Sequence, residues 1–230
     1  MTPQLAPTPR TTLRRGAARG RNERAEIDAI LDEAYIAHVG FVVDGEPRVL
    51  PMAYGRDGDS LYLHGAVANA MLRASADAEV CVTVTLLDGL VLARSAFHHS
   101  MNYRCVVLLG VAARVDDPAE RSRALDVIVD HMVPGRSEVA RPPSESELRK
   151  TLVLRLPITE GSAKVRGGDA VDEPEDVALP IWAGSVPLRL VAGAPAANAD
   201  LAAELDAELD APDPTLFLRP ATAAPAATLT

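Results

Sequence analysis

Asp-Gly dipeptides set between runs of β-branched and apolar residues constrain this chain more than any other feature. Asp44-Gly45 separates Tyr35–Val43 from Pro47–Tyr54, and Asp88-Gly89 separates Glu79–Leu87 from Leu90–Phe97. Asp and Gly tolerate the positive φ of a tight hairpin turn, so this pattern predicts strands that double back on their neighbours. Gly55-Arg56-Asp57-Gly58-Asp59 reads as a further turn before strand Ser60–His64. In that strand Leu61 and Leu63 fall on one face, and Tyr62 and His64 on the other. Arg104–Val115, Leu152–Leu156 and Glu160–Arg166 continue the pattern. Pro51 suits an edge or a bulge, because it has no N–H for a ladder.

Helical spacing is confined to short stretches. Asn22 reads as an N-cap before a helix over 23–34, with Glu23 and Glu26 in the first turn and Ile27, Ile30, Leu31 and Ala34 on one face. Gly65 breaks the strand before it, and Ala66–Ser75 forms a short helix. Asp116–Pro118 opens a third helix, whose apolar face is Ala124, Leu125, Ile128, Val129 and Met132. Ser144 and Glu147 have capping-box spacing. Six or more antiparallel strands with two or three helices, and no βαβ rhythm, predict a mainly β fold: a small antiparallel barrel with flanking helices. The chain divides into a flexible basic arm over residues 1–20, a folded domain over 21–195, and an Ala/Pro-rich tail over 196–230, weakly helical or disordered.

Charge narrows the partners. The net charge is -9 and aromatic residues are 3% of the chain, which argues against nucleic acid as a partner. Six Arg and one acid lie within residues 1–24, leaving the remainder with 17 basic and 31 acidic residues. Neither a membrane-spanning apolar run nor a secretory h-region is present in this sequence, so no membrane association and a cytoplasmic protein are expected. Cys81 and Cys105 are the only cysteines and suggest neither a disulfide framework nor a zinc site. Cys81 reads as a small core residue, and the charge of Arg104 favours a thiolate at Cys105.

The polar cluster Arg94-Ser95-Ala96-Phe97-His98-His99-Ser100-Met101-Asn102-Tyr103-Arg104 lies between two apolar runs, where two strands are joined. Polar groups are costly to bury there unless something pairs with them. The alternative is a solvated loop. His98 and His99 point to opposite faces of a strand, so one metal does not take both. The turn at His64-Gly65 leaves backbone N–H groups free for an anion such as phosphate, or is an ordinary strand-to-helix turn. Dinucleotide-fold, P-loop, metalloprotease and hydrolase-elbow motifs are missing from the sequence.

Four pieces in order carry a resemblance: Arg48-Val49-Leu50-Pro51-Met52-Ala53-Tyr54-Gly55, then Leu61-Tyr62-Leu63-His64-Gly65-Ala66, then Arg94–Arg104, then Ser162-Ala163-Lys164-Val165-Arg166 with Trp182-Ala183-Gly184. Together they resemble the pyridoxamine 5′-phosphate oxidase-like superfamily, on the flavin-nucleotide-binding side that includes nitroimidazole-reductase-like proteins. The resemblance implies a split antiparallel β-barrel, a homodimer, and FMN in a cleft between subunits. It implies that Arg48, Val49, Leu50, Pro51 and Met52 lie beside the isoalloxazine, and that His64, Gly65 and Ala66 cradle the phosphate with Asn69 close by. Ser100, Met101 and Tyr103 would contact the flavin, while Lys164 and Trp182 close the pocket. Arg104, Asn102 and His98 are the candidates for tuning the flavin or touching a small-molecule substrate. The reaction implied is electron transfer to a small organic acceptor. Haem held by His64 or His98, deazaflavin, and a non-catalytic flavin-binding protein are the alternatives. Members of the resembled family often carry a Lys or Arg soon after the His-Gly pair, where this chain reads Ala66-Val67-Ala68-Asn69-Ala70 and reaches its first cation at Arg73.

Overall fold

The computed structural model describes residues 3–198. In chain order its strands are β1 (Gly20–Arg21), β2 (Ile36–Val43), β3 (Glu46–Asp57), β4 (Ser60–Ala66), β5 (Ala78–Leu92), β6 (Ser100–Arg114), β7 (Thr151–Pro157), β8 (Glu160–Arg166) and β9 (Gly184–Pro187). The helices are α1 (Arg24–Glu33), α2 (Ala70–Ser75), α3 (Pro118–Met132), α4 (Arg136–Val139) and α5 (Glu145–Lys150). Every strand pairing is antiparallel, in the order β1-β8-β6-β7-β4-β3-β2-β5-β9. A further pairing of β5 with β6 joins the run β6-β7-β4-β3-β2-β5 into a ring. The expected architecture, antiparallel and mainly β with flanking helices, is the one observed. β6 divides its other edge, giving Tyr103–Leu109 to β8 and Ala113–Arg114 to β7. That division splits the barrel.

The core follows from alternation. Val39, Leu61, Leu63, Val82, Val84, Val106, Leu108, Leu154 and Leu156 point into the ring and are buried. Ile27, Ile30 and Leu31 of α1 and Leu72 of α2 complete the same cluster. Outside the ring, α3 lays Ala124 and Ile128 over Tyr62, Val115 and Val153. The Tyr54 hydroxyl donates to the carbonyls of Leu31 and Ala34, fixing the end of α1 to the sheet. His131 Nε2 lies 2.8 Å from the same Ala34 carbonyl, and its ring stands 4.5 Å from that of Tyr54.

Several local expectations change in the folded chain. Asp88-Gly89 does not reverse the strand. β5 runs through it with a register shift between Leu87 and Gly89, a bulge that turns the Asp88 carboxylate inward. Gly55 is not in a turn either, because β3 continues to Asp57 and reverses only at Gly58. Asn22 does not cap α1; the carbonyl of Pro3 accepts the Arg24 N–H instead. The Ser144–Glu147 capping box forms as its spacing predicts. The basic arm, along its described length, pairs Gln4 with Glu23 and sends Arg10 to Glu79 and Glu160. Beyond residue 198 the tail lies outside the described residues.

Gly55 has a packing role. A Cβ there would stand 2.9 Å from the backbone of Val127 and Ile128, so α3 can rest on the sheet only over a glycine. Gly55→Ala is expected to cost about 1–3 kcal/mol. Gly40→Ala, whose Cβ would meet Cys81 at 3.5 Å, should cost less. Urea denaturation checks this, and equal losses in the two variants would refute the close approach.

Candidate cofactor-binding site

β3 and β4 are paired only from Tyr54↔Leu63 to Asp57↔Ser60. Beyond that point β4 follows β7 as far as Ala66↔Thr151, while residues 46–53 of β3 stay with β2. The other edge of 46–53 has no strand partner among the described residues. His64 is the first residue of β4 past the parting. Its side chain lies on the outer face with Tyr62, across from Val153. His64 Nδ1 is buried and has no hydrogen-bond partner among the described residues. Burial pushes the pKa of this ring below the usual histidine value, so it is held as neutral imidazole.

His64 and Gly65 do not form the expected turn: β4 stays paired with β7 through Ala66, and the chain turns only after it. Gly65 faces inward, where a Cβ would meet Leu72 at 2.8 Å. The Val67 N–H donates to the Lys150 carbonyl, and the Asn69 side-chain oxygen accepts the Leu72 N–H as a cap for α2. Ala66 is exposed.

Arg104 lies on the opposite, inward face of β6 from Tyr103 and Cys105 and is 4% exposed. Its guanidinium donates to both oxygens of Glu33 at 2.5 and 2.7 Å and to both oxygens of Asp88 at 2.7 and 2.9 Å. These carboxylates raise its pKa, Glu33 foremost. Arg104 therefore ties α1 to the bulge of β5. Its charge is not directed at Cys105, whose thiol pKa is pushed up by burial. Asn102 donates to the Gly168 carbonyl at 3.1 Å and accepts from Arg166, so it holds the end of β8. His98 Nε2 stands 3.3 Å from Glu173. Arg94 is fixed by Asp172, through its backbone N–H at 2.8 Å and its guanidinium at 2.7 Å.

A broad apolar surface lies on the outer face of β3, β2, β5, β6 and β9. The register puts Val49, Gly40, Cys81 and Leu109 in one row, and Pro51, His38, Thr83 and Val107 in the next. Val49, Val42 and Ile36 are 66%, 62% and 54% exposed, and Leu87, Leu90, Met101 and Val186 are exposed beside them. Cys81 belongs to this outer surface and is only half-buried; it does not enter the core. The β3 segment expected beside a flavin divides between faces. Val49 and Pro51 look outward, while Leu50 and Met52 pack against the core and Arg48 pairs with Glu46. Ser100 lies inward of Met101 at the start of β6. Lys164 stands across from Cys105. Trp182, 65% exposed, folds over Gly184, whose Cβ would meet the indole at 3.1 Å. Trp182 thus sits before β9, which pairs with β5 next to Leu90.

The family model described as pyridoxamine 5′-phosphate oxidase matches residues 23–165. The chain belongs to this family. Among solved structures, the flavocytochrome Anf3 from Azotobacter vinelandii is 38% identical, with a TM-score of 0.83, over 92% of this chain and 97% of that one. The FAD and heme binding protein from Mycobacterium smegmatis is 37% identical, with a TM-score of 0.79, over 86% and 95%. A putative 5-nitroimidazole antibiotic resistance protein from Bacteroides thetaiotaomicron is 26% identical, with a TM-score of 0.54, over 64% and 86%. A search of curated proteins finds no match.

The fold is thus the flavin-binding split barrel of the pyridoxamine 5′-phosphate oxidase-like family. Among the described residues no helix is long and apolar enough to cross a membrane, and no group of three or more His, Cys, Asp or Glu could hold a metal ion. Sequence reasoning missed the partners of Arg104 and Arg94, because Glu33 and Asp172 lie 71 and 78 residues away along the chain. It also missed β9.

Arg104→Ala would leave two carboxylates facing each other and is expected to cost about 3–5 kcal/mol, whereas Arg104→Met combined with Glu33→Gln and Asp88→Asn recovers much of it. Denaturant midpoints decide this, and an Arg104→Ala protein as stable as the parent would show that the triad carries no weight. For His64, a folded pKa below the unfolded one means that its contribution is complete above about pH 6.5 and is lost as pH falls toward the lowered value. The parent should lose more stability between pH 7.5 and 5.5 than His64→Gln does; identical profiles would contradict this.

Proposed function

We propose that this protein is a redox flavoprotein in which two copies enclose a flavin at their seam, with a haem bound beside it. The observation that carries this reading is the near-complete likeness to two proteins named for flavin and haem together, each more than a third identical. It favours FAD over the FMN first expected, and makes haem a companion of the flavin instead of a rival to it.

The residues fit both groups. A flat ring with polar edges wants apolar walls and a few placed donors. The outer faces of Val49, Pro51, Leu90, Met101 and Tyr103 supply the walls, and the open edge of β3 supplies backbone donors and acceptors. A second copy seated on this surface would cover Val42, Val49, Ile36 and Leu87, an exposed apolar area of the kind that marks an interface. In that arrangement Lys164 and Trp182 of the partner would close the pocket.

Iron wants a neutral imidazole with a free nitrogen. Among the five His, His131, His98 and His99 have partners at 2.8, 3.3 and 2.9 Å, and His38 is exposed on the sheet face. His64 alone combines a buried ring nitrogen with no partner among the described residues, so it is the proposed axial ligand. Flavin, when bound, supplies one- and two-electron transfer between a reduced donor and a small acceptor. Arg104 holds the barrel end against α1, and Asn102 holds β8; both act on the pocket by position.

An absorbance scan of the purified protein tests the reading, with flavin bands and a Soret band expected together. His64→Ala should lose the Soret band and keep the flavin bands. Val42→Glu with Val49→Glu should give a monomer by analytical ultracentrifugation that no longer retains flavin. A parent that takes up neither flavin nor hemin on reconstitution would refute the proposal.

A further inference from the structure

Among the described residues two arginines are buried, Arg104 and Arg166, and only the first meets carboxylates; the half-buried Arg121 donates to the Asp116 and Leu148 carbonyls. Arg24 meets Asp28 and Asp59, Arg56 meets Asp28 and Asp32, Arg94 meets Asp172, and Arg104 meets Glu33 and Asp88. Arg166 is 9% exposed, and no ion pair with a described carboxylate forms at it. Its Nη1 donates to the Asn102 side-chain oxygen, and its Nε is buried without a partner. An unpaired buried charge is among the costliest groups a fold can hold.

Its neighbours make the imbalance larger. Lys164 shares the outer face of β8 with Arg166 and has no ion-pair partner among the described residues. Gly20 pairs with Lys164 and Arg21 with Ala163, so the antiparallel register carries Arg19 alongside Val165. Arg19 is exposed and likewise forms no ion pair with a described residue. Burial first, and then Arg19, lowers the pKa of Arg166. On a chain of net charge -9, this is a local excess of positive charge.

The site lies in line with the apolar surface. Leu87 on β5, Tyr103 on β6 and Arg166 on β8 form one cross-strand row, running from aliphatic through aromatic to cationic over about 10 Å. Thr85, Cys105 and Lys164 form the next row. We propose that Arg166, Lys164 and Arg19 form an anion site for the diphosphate of a flavin dinucleotide. The proposal rests on the flavin reading above and deepens it, moving the phosphate grip from His64-Gly65, where the sequence resemblance implies it, to β8. The forked guanidinium suits paired phosphate oxygens, and the flanking lysine and arginine match the second charge. The end of β4 has no comparable provision, since Leu72 fills the space above Gly65 and the Lys150 carbonyl takes the Val67 N–H.

Fluorescence titration of the full-length protein with FAD, FMN and riboflavin tests this. Arg166→Gln is expected to weaken FAD by about tenfold or more, to weaken FMN less, and to leave riboflavin unchanged. The double variant Arg19→Gln with Lys164→Gln changes no neutralised cation and should show the same order if Arg166→Gln fails to fold. Unchanged FAD affinity, or equal loss of FAD and riboflavin, would overturn the proposal. Equal loss of FAD and FMN would overturn the diphosphate assignment. A weakened Soret band with unchanged flavin affinity would assign the site to haem carboxylates and overturn it too. If the parent binds no flavin, the flavin reading fails by itself, and inorganic pyrophosphate then serves as the probe. A melting temperature raised by pyrophosphate in the parent and not in Arg166→Gln sustains the anion site; no shift in either overturns it.

Discussion

The ladder between β5 and β6 is the constraint from which the rest of the molecule follows. It runs from Ala78↔Ala112 to Val91↔Ser100 and turns an open sheet into a ring. Closure gives the sheet an inside, which Val82, Val84, Val106 and Leu108 fill. It also removes two edges that would otherwise invite pairing with other chains. The bulge at Asp88 is the one interruption, and it brings the Asp88 carboxylate to Arg104. Through Arg104 and Glu33 the ladder then reaches α1, whose apolar face completes the core. Sheet closure, the buried ion triad and the placement of α1 are therefore one connected arrangement.

Closing the ring also creates an outside, and its two halves differ. Over β3, β4 and β7 the outer face is covered by α3, which comes close enough to require Gly55. Over β2, β5 and the first half of β3 the β-branched residues are left exposed. Burying Val49, Val42 and Ile36 would remove apolar area that folding of one chain leaves in water. The parting of β3 from β4 sits at the border of these halves, with the unpartnered His64 nitrogen beside it. The uncompensated Arg166 lies on the other flank of the same surface. An apolar floor with an unpartnered imidazole nitrogen at one margin and a guanidinium that meets no described carboxylate at the other has the features a charged aromatic cofactor would satisfy.

Parts of this were legible beforehand because they are local. Asp44-Gly45 takes positive φ at both positions, and the capping box of α5 closes within four residues. Alternation along β4 assigned Leu61 and Leu63 to one face correctly. Asp88-Gly89 carried the same turn signal as Asp44-Gly45, yet the chain runs straight through it. The dipeptide permits a reversal, but the continuous partner β6 on one side and β9 on the other favour a bulge. Cys81 looked like a core residue because its run is apolar; alternation puts it outside, on a face that is itself apolar.

Turn chemistry and alternation act between near neighbours, so the residue order alone makes the strands antiparallel, places most of them and carries the family pieces. Which charges are spoken for emerges only on folding. Arg104 and Arg166 are both arginines on apolar strands, and nothing near them in sequence tells them apart. Folding brings Glu33 and Asp88 to the first and only Asn102 and the Gly168 carbonyl to the second. Whether a buried cation supports the fold or stands open to an anion depends on partners many residues away, and chain topology alone sets which of them arrive.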